Sequence, residues 1–310
     1  MNTVLPVSHD IVRIFAPEGM RKRALEGKHR FLNTVEHELD SAGFTVEFCE
    51  DSVLEQYSDT TSQGYSLFNK LEPLDEKGLT FRKNYFDPFW KIEASNARWT
   101  WPIVSKQFDE PLAKRERIMR FAETLRRRHL STVSGSASVD DFVFIPLQGR
   151  LLVQRSFQTI SPIQMLSTVA RHMKNQQIVA TYHPGENYTD QEREELANVC
   201  MKHPNVTISE RKASDLIEKC SCVISENSSV TLLAYLLHKP CALFAEIDFH
   251  HIALKANVSD FSQTIAELAN YKADYDGYLW WFFQEQSINS SKPDAGKKIR
   301  NTLRRHGWTI

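Results

Sequence analysis

Three features of the sequence predict an α/β fold made of two Rossmann-like domains with parallel sheets. Short apolar runs recur at 142–147, 178–182, 222–225 and 240–244, and each ends in polar residues. The segments between them carry helix signals, and strand, loop and helix in repetition close into a parallel sheet. The opening residues 11–48 repeat the same order of strand, helix and strand. Ligands of such sheets bind beyond the carboxyl ends of the strands. The polar clusters at 148–150, 183–187, 226–229 and 248–251 all fall on that edge.

Composition narrows the class. The 310 residues, 41% hydrophobic and 25% charged, suffice for two ordinary domains. With 38 basic and 39 acidic side chains the formal charge is −1, which gives no global electrostatic case for nucleic-acid binding. Residues 1–10 lack the basic start and apolar run of a secretory signal, and no window reaches the ~18 apolar residues of a membrane span, so a cytoplasmic protein is expected. Five cysteines (Cys49, Cys200, Cys220, Cys222 and Cys241) lie mostly inside apolar segments and suit reduced core thiols. No second ligand pair follows Cys220 and Cys222 at metal-binding spacing, so no metal site is expected.

In chain order, Ile-Val-Arg-Ile-Phe at 11–15 predicts the first strand and 16–23 a loop. A helix over about 28–41 follows, with Phe31, Val35 and Leu39 on one face. Gly43 stops it, and 44–48 alternates as a strand. Neither Gly-x-Gly-x-x-Gly nor a Gly-Lys-Ser/Thr loop occurs, which argues against a dinucleotide dehydrogenase or a P-loop enzyme.

Residues 52–108 are less regular and rich in rings, among them Tyr57, Tyr65, Phe81, Phe89, Trp90, Trp99 and Trp101. Charges interleave with these rings, as at carbohydrate sites where rings stack on sugar faces. Equally, the rings can simply pack a domain poor in aliphatic strands. Residues 110–129 predict a charged helix whose Arg126, Arg127 and Arg128 end reads as a solvated face. The small polar stretch 131–138 predicts a linker. The expected domains are therefore 1–135 and 136–285, with a C-terminal helical segment at 286–310 packing back toward the first. Asp140 and Asp141 read as a solvated turn.

In the second half, 142–147 is the first strand, and Ser161-Pro162 reads as an N-cap opening a helix to about residue 173. Strands are expected at 178–182, 206–208, 222–225 and 240–244. Thr189-Asp-Gln-Glu192 is a capping box for a helix to about 202, and further helices are expected at 213–220, 228–238 and 295–306. The ring-rich run 278–283 reads as a packed junction, with membrane contact as the alternative.

The strand-end clusters carry the chemistry. Glu226-Asn-Ser-Ser229 lies between a strand and a helix, where unpaired amides and hydroxyls favour a phosphate, although serine is also an ordinary N-cap. His183, at another strand end, can donate to a phosphate or protonate a leaving group.

These elements carry a resemblance. Pro146-Leu-Gln148, the His183-Pro184 loop and the run from Glu226 through Pro240 resemble the donor half of bacterial capsule polysaccharide biosynthesis proteins, GT-B-like glycosyltransferases that include Kdo transferases. A His-Pro loop with a Ser-Ser helix start is also similar to bacterial sialyltransferases of GT-B architecture. The resemblance covers about 142–249. It implies two sheets facing a central cleft and a metal-independent transferase that needs no cofactor. It places His183 at the donor phosphate, and Gln148, Glu226, Asn227, Ser228 and Ser229 about the nucleotide, with a CMP-linked acidic sugar favoured.

The capsule Kdo transferases place an acid a few residues after the Pro-Leu-Gln element, where this chain reads Gly149 to Phe157 without one. Glu186, Glu226 and Asp248 are the acids left to serve in catalysis with His183, and Asp248 is favoured because it follows the fifth strand beside His250 and His251. The first domain would carry a glycan or lipid-linked acceptor, with closure at the 131–138 linker. Arg21, Lys22 and Arg23 either bind an acidic acceptor or form a solvated loop, and Trp90 and His250 complete the candidate acceptor set. Peripheral association with membrane assembly machinery at the inner membrane is a further expectation. Two rival readings stand beside this one: a sugar-nucleotide epimerase on the same scaffold, and a non-catalytic glycan-binding assembly protein.

Overall fold

The computed structural model describes residues 11–52, 64–130 and 141–310. The chain divides into two compact units, Met1–Trp101 with Phe283–Ile310, and Pro102–Phe282. The expected linker 131–138, Asp140 and Tyr57 lie outside the described residues.

In the first unit, β1 (Ile11–Ala16) leads through α1 (Glu18–Leu25) and α2 (Arg30–Asp40) to β2 (Thr45–Glu50). Then come β3 (Tyr65–Asn69), β4 (Gly78–Lys83) and β5 (Phe89–Glu93). The expected loop at 16–23 is instead mostly helix. Pro17 and Gly19 read as loop formers, but Pro17 occupies the N-cap position and Glu18 sits in the first turn, where its charge suits the helix dipole. Phe31, Val35 and Leu39 are buried together as their spacing required. The stretch expected to be irregular holds three strands. In β3 to β5 nearly every residue is buried, so the alternation that marks a half-exposed strand is absent.

The C-terminal segment completes this unit: β12 (Ile288–Asn289) pairs antiparallel with β5, and α10 (Ala295–Arg305) buries Ile299 and Leu303 in the same core as Val12, Val35 and Leu67. The sheet order is β12-β5-β4-β3-β1-β2, parallel from β4 to β2.

The second unit begins with α3 (Arg115–His129). It was expected in the first domain, but its Arg126 ion-pairs with Asp276 and donates to the Leu236 carbonyl at 2.6 Å, both within this unit. Arg126 is therefore not part of a solvated face, whereas Arg127 and Arg128 are exposed. The strands β6 (Phe142–Pro146), β7 (Gln177–Thr181), β8 (Val206–Ile208), β9 (Cys222–Ser225), β10 (Cys241–Leu243) and β11 (Leu254–Lys255) form one all-parallel sheet in the order β11-β10-β9-β6-β7-β8. The crossovers run through α4 (Pro162–His172), α5 (Asp190–Lys202), α6 (Ala213–Lys219) and α7 (Val230–Leu236). The sequence left β11 undetected because only two residues pair.

After α8 (Phe261–Leu268), α9 (Tyr275–Trp280) passes into a π-helical turn at Trp281–Glu285. The rings of 278–283 are buried, each inside its own unit: Tyr278 meets Tyr235 and His251, while Phe283 meets Phe86 and Phe89. Among the described residues no helix is long and apolar enough to cross a membrane.

Candidate functional site

In the second unit successive strands are added on one side of β6 and then, from β9, on the other. The switch point of the sheet therefore lies between β6 and β9, where open parallel sheets bind ligands beyond the carboxyl ends. Four sequence-predicted clusters follow strands β6, β7, β9 and β10.

After β6, Gln148 is half-buried, Gly149 is buried, and Arg150 adopts a left-handed φ of 60°. The Glu186 carboxylate rests against Gly149, so close that a methyl group at 149 would lie 2.3 Å from its Oε2. A side chain at 149 would push the exposed Glu186 carboxylate aside.

After β7, the backbone N–H of His183 donates to the Tyr188 hydroxyl at 2.8 Å, and the Gly185 N–H donates to His183 Nδ1 at 3.1 Å. With Nδ1 accepting, the ring proton of the neutral imidazole sits on Nε2. The loop thus fixes which face of His183 can donate.

After β9, Glu226 is 1% exposed. Its Oε2 accepts from Gln158 Nε2 at 2.6 Å, and its buried Oε1 has no hydrogen-bond partner among the described residues. Burial pushes its pKa up to about 8, against the opposing charge of Arg155. The same Gln158 amide donates to Asn227 Oδ1 at 3.1 Å.

Ser228 is 2% exposed, and its Oγ accepts the Val230 N–H at 3.4 Å. Ser229 stands at the N-cap position of α7 without a side-chain cap bond. The backbone N–H groups of Asn227, Ser228 and Ser229 enter no hydrogen bond among the described residues. Three successive free amides with a serine beside them are what an oxyanion requires.

The His183 loop and the Glu226–Ser229 loop flank β6 on opposite sides. They are two strand spacings apart, about 9.5 Å, not on adjacent strands. The segment after β6 bridges them: Arg155 Nη2 donates to the Gly149 carbonyl at 2.9 Å, and the Arg155 N–H donates to Gln158 Oε1 at 2.8 Å. Gln158 then reaches Glu226. Arg155 and Gln158 were missed as site residues. Their signal in the sequence was only the acid-free stretch where the capsule proteins carry a carboxylate.

The cluster after β10 differs from expectation. Asp248 is fully buried. His250 Nδ1 donates to the Ile247 carbonyl at 2.5 Å, and His251 bridges the Ile103 carbonyl at 2.8 Å and the Tyr278 hydroxyl at 2.9 Å. These groups hold the loop to its own unit. The remaining acceptor candidates lie in the first unit: Arg21 and Arg23 on α1, and Trp90 on β5. Trp90 is 5% exposed and stacks on Phe31 with ring centroids 4.5 Å apart. One face of the ring is therefore taken by Phe31, and with so little of it exposed the ring is core and not a sugar-stacking platform. Among the described residues no group of three or more His, Cys, Asp or Glu could hold a metal ion.

No protein-family model matches the chain. No curated protein matches it either. Solved structures do. The β-Kdo 2,7-transferase of Thermosulfurimonas dismutans KpsC superposes with a TM-score of 0.52 at 15% identity, over 86% of this chain and 88% of that one. This chain has the GT-B fold. Two further GT-B matches are weaker. The β-Kdo 2,4-transferase of the same KpsC scores 0.45 at 10% identity, covering 83% of this chain and 90% of that one. The UDP-GlcNAc 2-epimerase of Neisseria meningitidis scores 0.40 at 11% identity, covering 95% and 99%. In the GT-B chain described here, the switch point of the second sheet is where the free amides, Glu226 and the β6 loop meet.

Proposed function

We propose that this chain is a metal-independent GT-B glycosyltransferase. It takes a sugar from a nucleotide-activated donor, a CMP-linked acidic sugar such as Kdo, and moves it to a glycan or lipid-linked acceptor of a surface polysaccharide. The observation that carries this reading is the loop after β9, where three free amides and Ser228 sit beside a buried glutamic acid. In it, the amides of 227–229 neutralise the donor phosphate, and His183 Nε2 donates to the same group as it leaves.

Glu226 is the group best suited to proton transfer at the sugar. A carboxyl with a pKa of about 8 is protonated near neutral pH and close enough to it to act in either direction. We prefer it to Asp248, whose loop is tied by His250 and His251 to the Ile247 and Ile103 carbonyls, away from the amides of 227–229. A lipid-linked acceptor would place the reaction at the cytoplasmic face of the inner membrane.

The reading is tested by calorimetric titration of the full chain with CMP and UDP. We expect His183→Ala, and separately the double change Ser228→Ala with Ser229→Ala, to weaken nucleotide binding about tenfold or more, as loss of a hydrogen bond to a charged group does. Equal affinity in wild type and both variants overturns the assignment. The two carboxyls flanking β6, Glu186 and Glu226, favour the epimerase as second reading. Radiolabelled donor separates the two: label on acceptor identifies a transferase, and label retained on an altered nucleotide sugar identifies an epimerase. Absence of any nucleotide binding leaves a glycan-binding assembly protein.

A further inference from the structure

The first unit holds a cavity of about 290 Å³ at the amino end of α2. Arg23, Lys28, His29, Arg30, Lys83, Trp90 and one carboxylate, Asp87, line it. Its place is the carboxyl edge of the parallel strands, because Lys83 ends β4 and Trp90 lies near the start of the antiparallel β5. That edge is where sheets of this kind hold ligands. The volume is at the low end of ligand pockets, about 300–1,000 Å³, which suits a single acidic sugar residue better than a nucleotide.

The charges do not cancel. Lys83 pairs with Asp87 at 2.6 Å and Lys28 with Glu26 at 2.8 Å, whereas Arg23 and Arg30 have no carboxylate partner among the described residues. His29, 6% exposed, is the N-cap of α2, and its Nδ1 accepts the Leu32 N–H at 3.2 Å. Its Nε2 is then the protonated nitrogen, and it has no hydrogen-bond partner among the described residues. Burial, and after it the charge of Arg23, keeps the imidazole pKa below the ordinary value, so the ring is an uncharged N–H donor at neutral pH. The wall is rigid: Asn33 Nδ2 donates to the Ala24 carbonyl at 2.7 Å, tying α1 to α2, and Trp90 packs edge-on to His29 at 5.3 Å.

We propose that this cavity is an oxyanion site in which Arg23, Arg30 and the Nε2–H of His29 take the carboxylate or phosphate of an acidic saccharide. Its role as the acceptor end of the reaction rests on the glycosyltransferase reading. The binding itself does not. Trp90 then forms the floor of the site, not a stacking platform, and Arg23 does the work that was expected of the Arg21 to Arg23 group.

The test is calorimetry on the full chain with three probes: digalacturonate, glucose 1-phosphate and inorganic phosphate. We expect wild type to bind at least one saccharide probe more tightly than inorganic phosphate, and the charge reversal Arg23→Glu with Arg30→Glu to weaken that binding at least tenfold. Preference for the uronate identifies a carboxylate-bearing glycan, and preference for the sugar phosphate a phosphorylated carrier. No saccharide binding, or binding that the double reversal leaves unchanged, overturns the proposal. Should the double reversal fail to fold by circular dichroism, Arg23→Ala alone, on an exposed helix position, must still lower the affinity. CMP and UDP titrations on the same variants keep the two readings apart. Nucleotide binding without saccharide binding removes only this site, and the reverse removes only the nucleotide site.

Discussion

Glu226 is a carboxyl that the fold keeps from water while supplying one hydrogen bond to its two oxygens. Burial raises its pKa from 4.5 to about 8. Between those values the folded chain retains a proton that the unfolded chain has released, so stability falls as pH rises, by at most about 1.4 kcal/mol per pH unit. The decline starts near pH 4.5 and is complete near pH 8.

Glu226→Gln keeps an oxygen for Gln158 and removes the titration. Its stability relative to wild type should therefore climb through that window and level off above it, measured by urea denaturation at pH 5, 6.5 and 8. A difference that stays flat across the three would show that the carboxyl is solvated. A group that weakens its own fold at working pH is a common mark of a functional site.

At this scale the sequence was partly legible. The positions of His183, Ser228 and Ser229 beyond strand ends could be read because they follow apolar runs. Gln158 could not, because its partners Glu226 and Asn227 are remote in the chain and nothing local announces a hydrogen bond. Trp90 was ambiguous for another reason: rings among charges fit a sugar platform and a strand core alike, and only its stacking on Phe31 decides.

Among the elements, helix starts were read best. Ser161 and Thr189 both close capping boxes, with Gln164 and Glu192. These are local side-chain to backbone bonds, and local bonds are visible in a sequence. Glu192 does more than cap. It accepts the Thr189 N–H at 2.8 Å and also the Leu151 N–H at 2.6 Å, pinning the loop after β6 to α5.

Thr189→Ala should cost about 1 kcal/mol, the ordinary loss of a cap. Glu192→Ala leaves the buried Leu151 N–H unsatisfied and also removes the reciprocal half of the cap at Thr189, and should cost about 2–4 kcal/mol. Urea midpoints at constant m-value measure both, and equal losses would mean that the Leu151 bond contributes nothing. Strands β3 to β5 escaped detection for the opposite reason. Their burial on both faces is a tertiary property, and it erases the period that reveals a strand lying on a surface.

For the whole molecule, two parallel-sheet units could be inferred from repeating strand, loop and helix. The course of the chain between them could not. A linker composition at 131–138 suggested the break, but α3 packs with the second unit through Arg126, Asp276 and the buried Ile118, Ala122 and Leu125. The first unit is discontinuous. Residues far apart in sequence complete its core: Ile288 beside Trp90 across the β12–β5 pair, Ile299 and Leu303 of α10, and Trp308 stacked on Tyr65 at 4.4 Å.

Four such side chains each bury roughly 1.5–3 kcal/mol of apolar transfer free energy. Their sum, about 6–12 kcal/mol, is comparable with the whole stability of a domain, about 5–15 kcal/mol. Deleting residues 286–310 should therefore unfold the first unit and leave the second cooperative. Hydrogen exchange reads this directly. In the shortened chain, amides of α2 and β5 should exchange at the rate of an unfolded chain, while those of β6, β7 and β9 keep their protection. Retained protection in α2 would mean that residues 11–101 form a sufficient core without their C-terminal complement.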